Sequence, residues 1–313
     1  MERIKFWVYL CFLIPSLICS VFLLSYLLSN RTLRTALHNH AIIVFLLIGL
    51  FYQATLYPWM LYYYNYEGIW YRSSLFCTIW TFIDWGLYYT QMILFAWASM
   101  ERHILIFHHN WLLTRQKRLF VHYLPLVMLL LYCLVYYIVT IFFPPCENTF
   151  DVTQMTCVVL CYLFQSFALY TYDTLVHQVL PNLIIVIFSI ALLLRVHWQK
   201  KRVGKSLQWR KHWKMTGQML FISTIYLLFA LPITLMNLLH LCGLSRNVSA
   251  QLMDYLFVFN YCMILLWPFA CAWSLPQLKY KLKSVFDFRR QTRPVGPVTL
   301  YAGRTILQQT LSS

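Results

Sequence analysis

Residues 75–103 read LFCTIWTFIDWGLYYTQMILFAWASMERH. From Leu75 to Met100 there is no Lys or Arg and a single acid, Asp84. A helix needs about 20 predominantly apolar residues to cross the hydrocarbon core of a bilayer, and this run is long enough. A charge at the centre of such a helix costs roughly 2.5–3.5 kcal/mol on insertion scales. Asp84 is therefore expected to face a cavity inside a helix bundle, where intramembrane ionisable groups serve function. The run closes on Glu101-Arg102-His103, a charged triplet at the membrane edge.

Outward from this run, six more stretches have the same character. They are Phe6 to Ser29, Ala41 to Tyr63, Leu119 to Phe143, Asp173 to Leu194, Met215 to Leu241 and Leu252 to Leu275. The region 158–172 is apolar as well, so the fifth stretch has no sharp start. The first is too long for a signal peptide, and no small-residue cleavage site follows it. Seven spans predict an all-α membrane protein, a seven-transmembrane helix bundle. The loops after spans one, three and five, together with the tail, carry 21 of the 25 Lys and Arg residues, and the other side carries four. The positive-inside rule then puts the N-terminus outside and the C-terminus in the cytoplasm. Residues 1–285 are expected to form the seven-transmembrane domain and 286–313 a cytoplasmic tail. Asn247-Val248-Ser249 is a glycosylation acceptor in an outside loop, whereas Asn30-Arg31-Thr32 falls inside and should stay unused. The aromatic run from Tyr57 to Trp70 reads as an interfacial belt at the outer end of span two.

Bulk composition agrees. Hydrophobic residues make up 61% and charged residues 11% of the chain, against about 25% charged in soluble domains. The net charge of +16 is accounted for by topology and anionic inner-leaflet lipid, so membrane lipid is an expected partner and nucleic acid is not. No GxSxG, HExxH or Gly-rich phosphate loop is present, and eight glycines leave little material for one. No enzyme activity and no cofactor are expected. The ten cysteines show no metal-type pairing, and the histidines fall mostly at span ends, so they read as interfacial groups and no metal site is expected. Asp84 reads as the one acid that must be buried in the bundle. A seven-span transporter or membrane enzyme, the alternative class, would need several intramembrane carboxylates or histidines.

The third span and its flanks resemble the rhodopsin-like (class A) G protein-coupled receptor family. That family carries a Cys at the outer end of the third helix and an acid-Arg-Tyr triplet at its inner end. Cys77 and Glu101-Arg102-His103 stand 24 residues apart, about 36 Å of helix, with His103 replacing Tyr. Pro181 matches the fifth-helix proline. Phe229-Ala230-Leu231-Pro232 occupies the place of the sixth-helix Cys-Trp-x-Pro, keeping Pro232. Trp267-Pro268-Phe269-Ala270-Cys271 occupies the place of Asn-Pro-x-x-Tyr, keeping Pro268. Gly49 and Leu50 lie where the second-helix Asp would fall. With these departures the chain looks like a divergent orphan member of invertebrate type. Each retained proline removes a backbone bond and is expected to kink its helix.

The resemblance implies a multi-pass plasma-membrane receptor. It would pass the binding of an extracellular ligand, a small molecule or peptide, to a cytoplasmic heterotrimeric G protein. Asp84, Tyr261 and Tyr88 are the implied ligand contacts. Asp84 lies where amine receptors hold their carboxylate, and Tyr261 where they place a tyrosine bonded to it. Glu101, Arg102 and His103 are the implied G-protein switch, with Glu101 holding Arg102 at rest. The basic loop from Gln199 to Lys214 is an implied G-protein contact, and Lys279 to Lys283 reads as a short amphipathic helix on the inner leaflet. The implied disulfide joins Cys77 to Cys157 or Cys161, with Cys146 closing a small loop. A receptor-like chain without coupling is the remaining alternative, because the Trp of span six and the Asn and Tyr of span seven are absent.

Overall fold

The computed structural model of the protein describes residues 2–70, 72–107, 114–203 and 207–274. The Lys279–Lys283 segment and the tail lie outside the described residues, as do the side chains of 199–216 and of Asn247.

Among the described residues seven long helices follow one another. Span one is Glu2–Ser29, span two Leu37–Asn65, span six Leu207–Leu241 and span seven Arg246–Ser274. The other three each change winding partway. Span three runs through Ser74–Thr81, Phe82–Gly86 and Leu87–Phe107; span four through Arg115–Arg118, Leu119–Tyr123 and Leu124–Phe142; span five through Phe167–Tyr172, Asp173–Val179 and Leu180–Val203. In each the middle segment is a π-helix. Six of the seven helices are long and apolar enough to cross a membrane. Span three is the least apolar because Asp84, Thr90, Gln91, Glu101 and Arg102 all lie on it, and all are buried. It is also the most enclosed, packing against spans two, four and five. Polar groups leave lipid by turning into the bundle, so the helix that carries most of them takes the centre.

The π segments have two physical origins. In spans four and five the segment ends at Tyr123 and at Val179, two residues before Pro125 and Pro181. A proline ring clashes with the carbonyl four residues earlier and lacks the amide hydrogen to bond it. Widening the preceding turn relieves both problems. In span three no proline follows. There the segment is centred on Asp84, whose backbone carbonyl accepts a hydrogen bond from the Tyr52 hydroxyl at 3.3 Å. Gly86 ends the segment against span four, and a Cβ on it would stand 3.4 Å from Tyr137 Cβ and from the Phe82 ring.

Pro268 in span seven frees the Ile264 carbonyl. It cannot bond to Ile264 four residues before it, and the Gln53 amide donates to that carbonyl instead, at 3.2 Å. Ser16 donates to the Leu265 carbonyl at 2.8 Å. Gln53 also donates to Ser16 at 2.9 Å and accepts from Ser20 at 3.0 Å. All three side chains are fully buried. Spans one, two and seven are thus joined by side chains that satisfy the backbone at a proline.

The fifth span corrects the sequence expectation in one consequential respect. It begins at Phe167, six residues before the expected start, because the apolar run 158–172 ends in a helix. Asp173 then lies inside the bundle and is fully buried. Asp84 is therefore not the only buried acid; Glu101 and Asp173 are buried too.

Candidate binding site and cytoplasmic crevice

The loop between spans four and five roofs one end of the bundle. Thr149–Phe150 pairs antiparallel with Val158–Val159. Two disulfides staple the hairpin, Cys77–Cys157 to span three and Cys146–Cys161 across its base. Its tip is held from below: Trp70 Nε1 donates to the Gln154 carbonyl at 3.0 Å and the Tyr63 hydroxyl to the Thr153 carbonyl at 2.7 Å. Within the tip the Thr153 hydroxyl donates to Asp151 at 2.6 Å and holds that carboxyl below the usual range.

Beneath this roof lies a cavity of about 700 Å³. The loop residues Thr153 to Leu160 cover it, and Tyr64, Trp85, Tyr170, Gln178, Asn237 and Tyr261 line its walls and floor. Tyr261 is shared between the cavity and the acid behind it. Its hydroxyl donates to Asp84 Oδ2 at 2.7 Å. The Tyr52 hydroxyl donates to Asp84 Oδ1. Both carboxylate oxygens are thus occupied, and Asp84 is only 4% exposed. Asp84 does not line the cavity, and neither does Tyr88, whose hydroxyl donates to Asn260 at 3.1 Å. The carbonyl of Tyr261 is itself fixed by the Tyr57 hydroxyl at 2.6 Å. Spans two, three and seven therefore meet at one carboxylate, and Tyr261 is its connection to the cavity. Tyr52 had no mark in the sequence beyond one aromatic position in an apolar span.

On the far wall, spans five and six are tied by amide groups. Asn237 donates to Gln178 at 2.7 Å and Asn182 to Thr234 at 2.8 Å. On span five these contacts bracket Pro181, and on span six they lie just beyond Pro232.

At the opposite end of the bundle the geometry is closed. Arg102 is buried among Ser99, Phe188, Ser189, Leu192, Leu220 and Ser223, from spans three, five and six. The space there is about 10 Å³, room for one water at most. His103 makes an edge contact with the Phe188 ring. Glu101 is engaged by a partner on span four, His122. His122 Nε2 then meets His40 Nδ1 at 2.8 Å, and His40 Nε2 meets the Arg34 carbonyl at 2.9 Å. A carbonyl only accepts, so His40 Nε2 carries a hydrogen. Its Nδ1 then accepts from His122 Nε2–H in the neutral ring. The remaining His122 nitrogen faces a carboxylate, and that bond needs a hydrogen of its own.

His122 and His177 are both fully buried, which corrects the expectation that the histidines are interfacial. His177 bonds to Asp173 Oδ1 at 3.0 Å and to the Tyr132 hydroxyl at 2.9 Å, and Tyr137 donates to the same Asp173 oxygen at 3.1 Å. Tyr132, Tyr136 and Tyr137 of span four and Tyr172 of span five surround the His177 ring, with centroids 4.4–5.7 Å away. These histidines looked interfacial because they sit within two turns of an expected span end. Span four begins at Arg115, ahead of its apolar run, and span five at Phe167, inside the apolar region 158–172.

A sequence model of the seven-transmembrane receptors of the rhodopsin family matches residues 19–269. No curated protein matches the chain. The family match spans all of the carboxylate junction, the cavity walls on spans two, three, five, six and seven, and the Glu101-Arg102 pair.

Proposed function

The chain belongs to the rhodopsin family of seven-transmembrane receptors, and on that premise we propose that it binds an extracellular ligand in the 700 Å³ cavity and passes the event to a heterotrimeric G protein at Arg102. It is a multi-pass protein of the plasma membrane, in a family of signalling receptors that are in general not enzymes. The observation that carries the reading is the contrast between the two ends. One end is open and lined with aromatic and amide groups, and the other is shut over a buried arginine. This is the arrangement expected of a resting receptor with its ligand site accessible.

Orientation follows from chemistry. Both disulfides lie in or beside the cavity roof, and such bonds persist on the oxidising side of the membrane. That supports an extracellular cavity and agrees with the Lys and Arg placement. The ligand touches Tyr261. Asp84 responds through it, because a displaced Tyr261 hydroxyl leaves Asp84 with one donor fewer in a low-dielectric setting. Spans five and six hinge near Pro181 and Pro232, the inner crevice opens, and Arg102 becomes available to the partner. The ligand drives this only by its preference for the open arrangement. The missing Trp of span six is answered by a different core: Trp267 packs edge-on against Phe45 and Phe95, and Phe95 stacks on Tyr226.

The test is nucleotide exchange on purified G protein by the full chain in nanodiscs. The chain is expected to accelerate exchange on at least one G protein class, and Arg102→Ala to abolish it while surface expression persists. Exchange undiminished in Arg102→Ala would overturn the proposal.

A further inference from the structure

We propose that the outer cavity takes a small organic cation, its charged group held at Asp254 and its apolar body lying along span seven down to Tyr261. The proposal rests on the reading of this cavity as the ligand site and names the ligand class.

The first support is charge. The charged side chains that line the cavity are Glu2, Lys5 and Asp254. Lys5 is paired with Glu2 at 3.2 Å, so the two cancel. His240, also on the wall, is engaged by the Ser249 hydroxyl at 2.6 Å. Among the described residues no cation stands within ion-pair distance of Asp254. Among the described lining residues this leaves one uncompensated negative charge, Asp254 at the exposed rim, which draws cations toward the cavity mouth. An anionic ligand would meet that charge with Lys5 already committed.

The second support is shape. Ala250, Met253, Asp254, Phe257, Val258 and Tyr261 all line the cavity from span seven. Their spacing of three and four residues is that of one helix face. Seven residues separate Asp254 from Tyr261, about 10 Å along the axis. A ligand that reaches both has a cation at one end, about 10 Å of apolar body, and an aromatic or hydrogen-bonding group at the floor. The volume of about 700 Å³ suits such a molecule. The rings of Tyr64, Trp85, Tyr170 and Phe257 supply faces for the apolar body and for its charge. Asp84 is not the anchor, because it lies behind Tyr261, is buried and does not line the cavity.

The probe is a set of primary and quaternary arylalkylamines with ring-to-nitrogen lengths up to about 10 Å, each compared with its uncharged N-acetyl or tert-butyl counterpart. Binding to the full chain in nanodiscs is read as an upward shift of the melting temperature with concentration. At least one amine is expected to bind, its uncharged counterpart to bind tenfold or more weakly, and Asp254→Asn to weaken the amine tenfold or more. Asp254 is exposed, so the variant folds. Three results each overturn the proposal: uncharged analogues binding as well as amines, amine affinity unchanged in Asp254→Asn, or no amine binding at all. Amine binding without any G protein activation would leave this assignment standing and sink the receptor reading instead.

Discussion

Asp84 lies in a widened turn of span three with one tyrosine hydroxyl on each carboxylate oxygen. A buried carboxylate that loses one of two donors is left partly unsatisfied, at a cost of about 1–3 kcal/mol. Tyr261→Phe keeps the ring and removes only that donor. It is expected to lower the melting temperature, and to raise ligand-free nucleotide exchange if the bond belongs to the resting state. Unchanged melting would show that Asp84 is satisfied elsewhere. Glu101 presents the same situation at the inner end. His122→Phe leaves a buried acid without the group that holds it, and breaking a buried pair costs about 3–5 kcal/mol. A loss of folded protein at the surface, partly restored by His122→Gln, is the expected outcome. An unaltered melting curve would argue against the bonded chain from Arg34 to Glu101.

At the scale of single elements, prolines and the groups that answer them shape this bundle. Two π segments end two residues before Pro125 and Pro181, and Gln53 replaces the bond that span seven loses at Pro268, with Ser16 on the neighbouring Leu265 carbonyl. Gln53→Leu removes the amide and leaves the Ile264 carbonyl, Ser16 and Ser20 short of a partner. Destabilisation of about 1–3 kcal/mol per unsatisfied group is expected, read as a lower melting temperature. Restoring the amide hydrogen with Pro268→Ala should reduce the harm of Gln53→Leu. Additive effects of the two changes would mean that Gln53 does not serve that carbonyl.

For the whole molecule, the question is which end faces outward and how the two ends communicate. If the disulfide-stapled loop is extracellular, Asn247 is accessible to glycosylation and Asn30 is not. Asn30 already caps the helix Arg31–Arg34, its side chain accepting from Thr32 N at 3.1 Å. A glycosidase gel shift is expected to vanish in Asn247→Gln. A shift that persists there and disappears in Asn30→Gln would invert the topology. Span three connects the two ends of the bundle. It carries Cys77 at the roof, Asp84 behind the cavity and Glu101-Arg102 at the crevice, so a rotation or shift of this one helix reaches all of them.

The sequence by itself determined the class of fold. Apolar runs of spanning length, with Lys and Arg set alternately between them, have no soluble solution, and each run is read within one helix. It also marked Asp84, Arg102 and Cys77, because charge or spacing makes each conspicuous along a single helix. Three things were decided by tertiary structure alone: the partners Tyr52 and His122, the burial of Asp173 with His177, and the cavity face from Asp254 to Tyr261. Tyrosine and histidine are common at membrane interfaces, so their presence in a span carries little signal. Their roles arise only when a neighbouring helix brings a carboxylate within hydrogen-bond reach. The ends of the spans escaped detection for a related reason. Hydropathy registers where lipid begins, whereas a helix continues as long as its backbone bonds can be made.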